Sequence, residues 1–158
     1  MIYKVREKIF SIGDQFAIED ETGRLCYYVR SKIFTMGNKL YLEDPHGNEL
    51  YFIEQKLLRF LPEYTISSRG TSIATVKKAL TFMKHRFDIR SALGTFEISG
   101  NPWAHDFTIT KNRKVVVEVS KRWVSLSDTY GVSVDDGEDQ AFALSLVIVI
   151  DQVLHDKN

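Results

Sequence analysis

Residues 139–154 constrain the fold of this chain more than any other segment. The run from Asp139 to Leu154 reads as one helix that is apolar almost all the way round. Between Ala141 and Leu154 the only polar residues are Ser145, Asp151 and Gln152. At about 100° per residue Ser145 and Gln152 fall together, but Ile148 and Val149 flank them, so no broad polar face forms. A helix without a wet face has to be surrounded, and the rest of the chain must wrap it. The segment Leu146–Ile150 is rich in β-branched residues and invites a strand reading. Length decides against it, because a buried strand runs to about 4–8 residues. The acidic run Asp135–Asp139 suits a helix start, and His155 and Lys157 suit its end. A membrane span needs about 18 apolar residues, and here only ten run from Ala141 to Ile150, Ser145 among them.

The residues before this helix read as strands and turns. Phe10–Lys32 and Phe34–Lys56 repeat with a period of 24 residues, aligning Gly13 with Gly37, Glu19 with Glu43, Asp20 with Asp44, Gly23 with Gly47 and Tyr27 with Tyr51. Each copy predicts strand, turn, strand. Asp opens the turn with a side-chain acceptor and Gly closes it at positive φ. Gly13–Asp14 and Gly37–Asn38 mark further tight turns. A looser third copy runs Tyr64–Ser67, turn Ser68–Gly70, Ile73–Val76, and a fourth hairpin pairs Phe107–Thr110 with Val115–Ser120. Phe87–Ile89, Thr95–Ile98 and Tyr130–Val134 add more strands. About a dozen short strands at turn intervals of about 8–12 residues predict an antiparallel sandwich or barrel. No linker divides the chain, so residues 1–158 are read as one domain.

Composition is that of an ordinary globular protein, 44% hydrophobic and 27% charged. The single cysteine, Cys26, cannot form an internal disulfide, and the opening residues contain no apolar signal core. A cytoplasmic address is therefore expected. Net charge is zero but unevenly placed. Residues 77–122 carry 10 basic and 4 acidic side chains, whereas residues 123–158 carry 1 basic and 7 acidic. Such blocks either form a basic patch for an anionic partner or neutralise one another across the folded surface, and the second reading is the more economical.

Two segments resemble the LURP-one-related family. Thr95–Ile109, TFEISGNPWAHDFTI, is similar to the family's G-x-(F/W)-x-x-(D/N)-F-x-I strand pair. Val119–Val132, VSKRWVSLSDTYGV, is similar to its S-K-K-W-x-x-x-x-D-x-Y-x-V segment, and the closing apolar helix with Asp151 matches as well. The resemblance spans essentially the whole chain and follows the bacterial branch. It implies a tubby-like fold, a twelve-stranded antiparallel barrel threaded by a carboxyl-terminal hydrophobic helix. It also implies kinship with tubby proteins, which bind phosphoinositide headgroups through a basic surface, and with the phospholipid scramblases. This chain lacks the cysteine-rich and transmembrane parts typical of the latter.

No motif announces a reaction. The four histidines, His46, His85, His105 and His155, are scattered, and no H-E-x-x-H, C-x-x-C, G-x-S-x-G or phosphate-loop pattern occurs. His105–Asp106 is the most suggestive pair, but neighbours on a strand point to opposite faces. Cys26 lies in an apolar-aromatic strand and reads as a buried thiol. Asp135–Asp139 lacks the ligand spacing of a calcium loop. Asp151 inside a buried helix needs a partner, at the barrel rim or on a basic strand residue. No metal, no cofactor and no enzymatic activity are expected, nor nucleic acid, given overall neutrality. The candidate ligand-binding residues are Lys111, Arg113 and Lys114 on one turn, Lys121 and Arg122 after the next strand, and Lys84 and Arg86. Together they would hold an anionic lipid headgroup by charge-assisted hydrogen bonds. The expected protein is a monomeric binding or scaffold module, cytoplasmic and peripheral at the inner membrane surface. The alternative is a protein-interaction module without lipid affinity, and an enzyme of unrecognised type ranks third. A barrel plugged by Phe142, Leu144 and Ile148 leaves the outer surface for binding.

Overall fold

A computed structural model describes residues 1–7, 15–32, 36–79, 86–124 and 128–155. The strands are β1 (Ile2–Arg6), β2 (Gln15–Asp20), β3 (Leu25–Ser31), β4 (Lys39–Glu43), β5 (Glu49–Gln55), β6 (Glu63–Ser68), β7 (Thr71–Ala79), β8 (Arg86–Ser91), β9 (Phe96–Asn101), β10 (Asp106–Lys111), β11 (Lys114–Ser120) and β12 (Thr129–Val134). They form one twelve-stranded sheet in the order β8-β7-β6-β5-β4-β3-β2-β1-β12-β11-β10-β9. Every ladder is antiparallel. The sheet curls into a nearly closed barrel whose two edges, β8 and β9, lie side by side without a ladder. The helix α1 (Gln140–His155) runs through it.

The repeat seen in the sequence is a repeat of geometry. Asp20 Oδ1 accepts from the backbone N–H of Thr22 and Arg24 at 2.9 and 3.0 Å, and Asp44 Oδ1 accepts from those of His46 and Asn48, both at 2.9 Å. Gly23 and Gly47 close the turns at φ +87° and +86°. The ladders slip register at Ile18/Glu19 and again at Leu42/Glu43. The third copy repeats the slip at Ile66/Ser67 and turns through Arg69 and Gly70, both at positive φ. Each bulge adds twist, and a twelve-stranded sheet needs such devices to curl. Gly37 also has positive φ, at +78°, whereas the Gly13–Asp14 turn lies outside the described residues.

Alternate strand residues face the axis. Val5, Ile18, Val29, Leu42, Ile53, Ile66, Val76, Ile109, Val119 and Val132 are all buried and meet a helix buried from Ala141 to Leu154. Asp139 is the cap rather than the first turn of α1: its Oδ1 accepts from Phe142 N at 2.9 Å, and its Oδ2 accepts from the Tyr51 hydroxyl at 2.6 Å. Phe142 then packs between Tyr51 of β5 and Phe96 of β9, with both ring pairs 5.7 Å apart. The Ser145 hydroxyl donates to Ala141 O at 2.9 Å, so the polar residue in mid-helix is satisfied within its own turn.

This up-and-down path gives the barrel two unlike ends. Tight turns, the chain start and the start of α1 share the turn end. The connections β1–β2, β3–β4, β5–β6, β7–β8, β9–β10 and β11–β12 share the loop end with the close of α1.

Candidate functional site

Charge separates along the barrel axis. Described connections at the turn end carry Glu21, Asp44, Asp135, Asp136, Glu138 and Asp139 against Arg24, Arg69 and Arg113. Those at the loop end carry Lys32, Lys56, Arg59, Lys121 and Arg122 against Glu7 and Asp128. Arg6 and Arg59 are neutralised by Asp128 and Glu63 at 3.2 and 3.7 Å. Lys32, Lys56, Lys78 and Arg122 form no ion pair with a described carboxylate. Lys78 Nζ instead lies 5.9 Å from the centre of the Trp103 ring.

The candidate cations divide between the two ends. Lys111, Arg113 and Lys114 lie at the turn end, where Lys111 Nζ meets Glu138 at 3.0 Å and Lys114 Nζ meets Asp135 at 3.2 Å. Those pairs join the basic and acidic blocks of the sequence, and Lys114 holds the Asp135 carboxyl below the usual carboxylate range. Lys121 and Arg122 lie at the loop end, about 20 Å away along β11. Arg86 opens β8 at the same end; Lys84, like His85, lies outside the described residues.

Beneath the loop end is a buried polar cluster. His105 follows the 3-10 turn Pro102–Ala104 in left-handed conformation, φ +51°, and its N–H donates to Pro102 O. This twist separates it from Asp106: His105 turns inward and is buried, and Asp106 stays exposed. His105 Nε2 lies 3.0 Å from Asp151 Oδ1, and Nδ1 lies 3.7 Å from Glu7 Oε1. Glu7 also pairs with Lys121. The imidazole stacks on Tyr130, ring centres 4.4 Å apart and 18° from parallel. Asp151 thus meets a histidine of the β9–β10 connection, 46 residues away in sequence. The sequence suggested the barrel rim or a basic strand residue as its partner; among the described residues the partner seen is this histidine. Glu7, half-buried, escaped the sequence reading altogether, because nothing local marks an acid after a strand end as part of such a cluster. The cluster ties α1, β12 and three loop-end connections together.

Tyr130 gives the cluster a measurable pH signature. Its buried hydroxyl has no hydrogen-bond partner among the described residues. Burial, then the charges of Asp151 and Glu7, raise its pKa well above the usual tyrosine value. Because the folded value is raised, stability is unaffected while both states keep the proton. It falls once pH passes about 10, where the unfolded chain ionises first, by about 1.4 kcal/mol per pH unit for this residue. Tyr3 and Tyr51 are raised by burial in the same sense. Tyr130→Phe is expected to keep the neutral-pH stability and to soften the alkaline loss, read from urea midpoints on either side of pH 10. An unchanged alkaline slope would contradict it.

A family model described as LURP-one-related matches residues 1–151, nearly the whole chain. The chain belongs to that family. It is 35% identical over 153 residues to a Bacillus subtilis (strain 168) protein named uncharacterized protein YxjI, covering 97% of this chain and 78% of that one. An X-ray structure of an Arabidopsis thaliana protein superposes with a TM-score of 0.67 over 98% of this chain and 92% of that chain, at 16% identity. That likeness shows the fold: a nearly closed barrel of twelve antiparallel strands around one helix. The two segments that carry the LURP-one-related resemblance in the sequence, Thr95–Ile109 and Val119–Val132, converge at the loop end. Between them they supply Trp103, His105, Lys121, Arg122, Trp123 and Tyr130. Gly131 makes room for this arrangement, since a Cβ there would lie 2.9 Å from Trp123 Cβ and 3.2 Å from Ser120 O. No described helix is long and apolar enough to cross a membrane.

Proposed function

We propose that this LURP-one-related domain is a non-catalytic binding module that recognises anionic phospholipid headgroups through the loop end of its barrel. The observation that carries this reading is the set of cations there without carboxylate partners among the described residues. Lys32, Lys56, Lys78 and Arg122 hold no carboxylate among the described residues, whereas Lys111 and Lys114 at the opposite end already do. Lys121 and Arg122 belong to the binding surface. Lys111, Arg113 and Lys114 face away from it. Trp103 and Trp123, both partly exposed at this end, suit the headgroup layer, where an indole keeps its N–H wet and its ring sheltered. Such a module acts peripherally at the inner membrane surface.

Co-sedimentation with vesicles of phosphatidylcholine, with and without phosphatidylserine, tests the reading. Binding is expected only with the anionic lipid and is expected to weaken as salt rises. Each Lys or Arg near such a surface contributes about 1 kcal/mol, so Lys32, Lys56 and Arg122 changed singly to Ala should each weaken binding about fivefold. The triple change Lys111/Arg113/Lys114→Ala should leave it intact. Absence of binding to anionic vesicles at low salt removes the proposal and favours a protein-interaction module.

A further inference from the structure

The loop end also carries the three most exposed large apolar side chains among the described residues: Leu58 is 101% exposed, Phe60 88% and Met36 77%, with Leu57 beside them at 45%. They come from two neighbouring connections, β3–β4 and β5–β6. These approach so closely that a Cβ on Gly37 would lie 2.9 Å from Leu57 Cδ2. The tip is built rather than frayed. Gln55 N donates to Asn38 O, and Asn38 N donates to Gln55 Oε1, both at 2.9 Å. Asn38 Nδ2 donates to the Tyr64 hydroxyl at 2.9 Å. Beneath the tip Gln55 and Tyr64 are buried, so the platform is part of the barrel wall.

Two costs are accepted to present these side chains. Large apolar groups stand in water, which burial would relieve. Leu58 also adopts the left-handed region, φ +58°, which non-glycine residues avoid. Backbone held there at a cost is a pointer to function. We propose that Leu58 and Phe60, flanked by Met36 and Leu57, form a wedge that enters the hydrocarbon of an anionic bilayer. The barrel then stands with its loop end on the membrane and its acidic turn end away from it.

The surroundings select a bilayer over a protein. The core of a protein interface is depleted in lysine. Here Lys56 and Arg59 bracket Leu57 and Leu58 in sequence, and Lys32 precedes the other loop. Apolar tips, cations and tryptophans gathered at one end are the side chains that a bilayer interface takes up together. The opposite charge of the turn end would be repelled by an anionic surface, which fixes the sense of approach. The inference rests on the lipid reading above and adds depth and orientation to it.

The test places an environment-sensitive fluorophore, nitrobenzoxadiazole, at Leu58→Cys, Phe60→Cys or Arg69→Cys. Each is made in the full chain with Cys26→Ser and mixed with phosphatidylcholine–phosphatidylserine vesicles carrying acyl-chain spin labels. Positions 58 and 60 are expected to shift to the blue and be quenched, and position 69 at the turn end to do neither. Leu58→Asp with Phe60→Asp is expected to lower vesicle partitioning about 100-fold, about tenfold per side chain, with an unchanged thermal melt. Undiminished, salt-sensitive binding of this double variant, with no acyl-chain quenching, overturns the wedge and leaves headgroup recognition standing. No vesicle binding by the unsubstituted chain removes both. Lipid-free dimers abolished by the same double change make the tip a self-association face and also overturn the wedge.

Discussion

A chain stopped at Asp139 is expected to yield no folded barrel. The missing helix carries nine large apolar side chains from Phe142 to Leu154, all buried. At about 1.5–3 kcal/mol each, their burial contributes roughly 15–25 kcal/mol before the more compact unfolded chain is allowed for. Net stabilities of domains are about 5–15 kcal/mol, so no redistribution among the strands offsets the loss. The inward residues of the barrel would face the space that the helix vacates, and their apolar surface would be exposed to water. The shortened chain should be insoluble, or compact with dye-accessible apolar surface and no cooperative melt. A single change shows the same dependence on a smaller scale: Leu146→Ala, at a fully buried position, should cost about 2–5 kcal/mol in urea unfolding. A soluble shortened chain with a sharp thermal transition would falsify the dependence of the barrel on its helix.

His105→Ala is expected to be the most damaging single substitution among the polar residues. It removes the imidazole between Asp151 and Glu7 and the stack on Tyr130. The Asp151 carboxylate stays buried after its histidine is gone. Leaving a buried hydrogen-bonded partner unsatisfied costs about 1–3 kcal/mol, and more for a charged group, because that partner keeps its desolvation penalty. Replacing both partners together, His105→Leu with Asp151→Leu, should recover much of that stability, since no charge is then stranded. A double-mutant cycle from urea midpoints reads the difference. If His105→Ala lowered stability by no more than an ordinary surface change, the cluster would have no structural weight. Loop-end tests of lipid binding should be run beside this cycle, because His105 and Lys121 anchor the connections that carry Trp103 and Trp123.

Much of the fold was legible because its rules are local. Eleven of the twelve strands, their antiparallel character and the two matched turns follow from alternation, from Asp at the turn start and from Gly at positive φ; β1, Ile2–Arg6, was not singled out. The single helix is legible from the missing polar face, and its start at Gln140 rather than Asp139 is the ordinary difference between a cap and a first turn. The site was only half legible. Lys121 and Arg122 were flagged as cations and His105 and Asp151 as oddities, but nothing in the sequence joins the last two. A left-handed residue after Pro102–Ala104 turns His105 inward, and a single such dihedral leaves little trace in composition. The protruding Leu57, Leu58 and Phe60 were equally hidden. Lys56 precedes and Arg59 interrupts these apolar residues in sequence, and whether they face the core or the tip depends on where the neighbouring loops lie.

The sequence by itself determined that a fully apolar helix must be enclosed, and that short alternating strands must do the enclosing. Hydrophobic burial is nearly indifferent to which partner supplies the surface, so pattern alone is enough for that much. Tertiary structure decided which end of the barrel each connection reaches. It set Lys111 and Lys114 against the acidic run, left Lys32, Lys56 and Arg122 without a carboxylate among the described residues at the far end, and brought His105 to Asp151. These outcomes depend on distances and directions of a few ångströms between residues far apart in the chain. Charge pairing falls off over that length, and only the closed barrel fixes it.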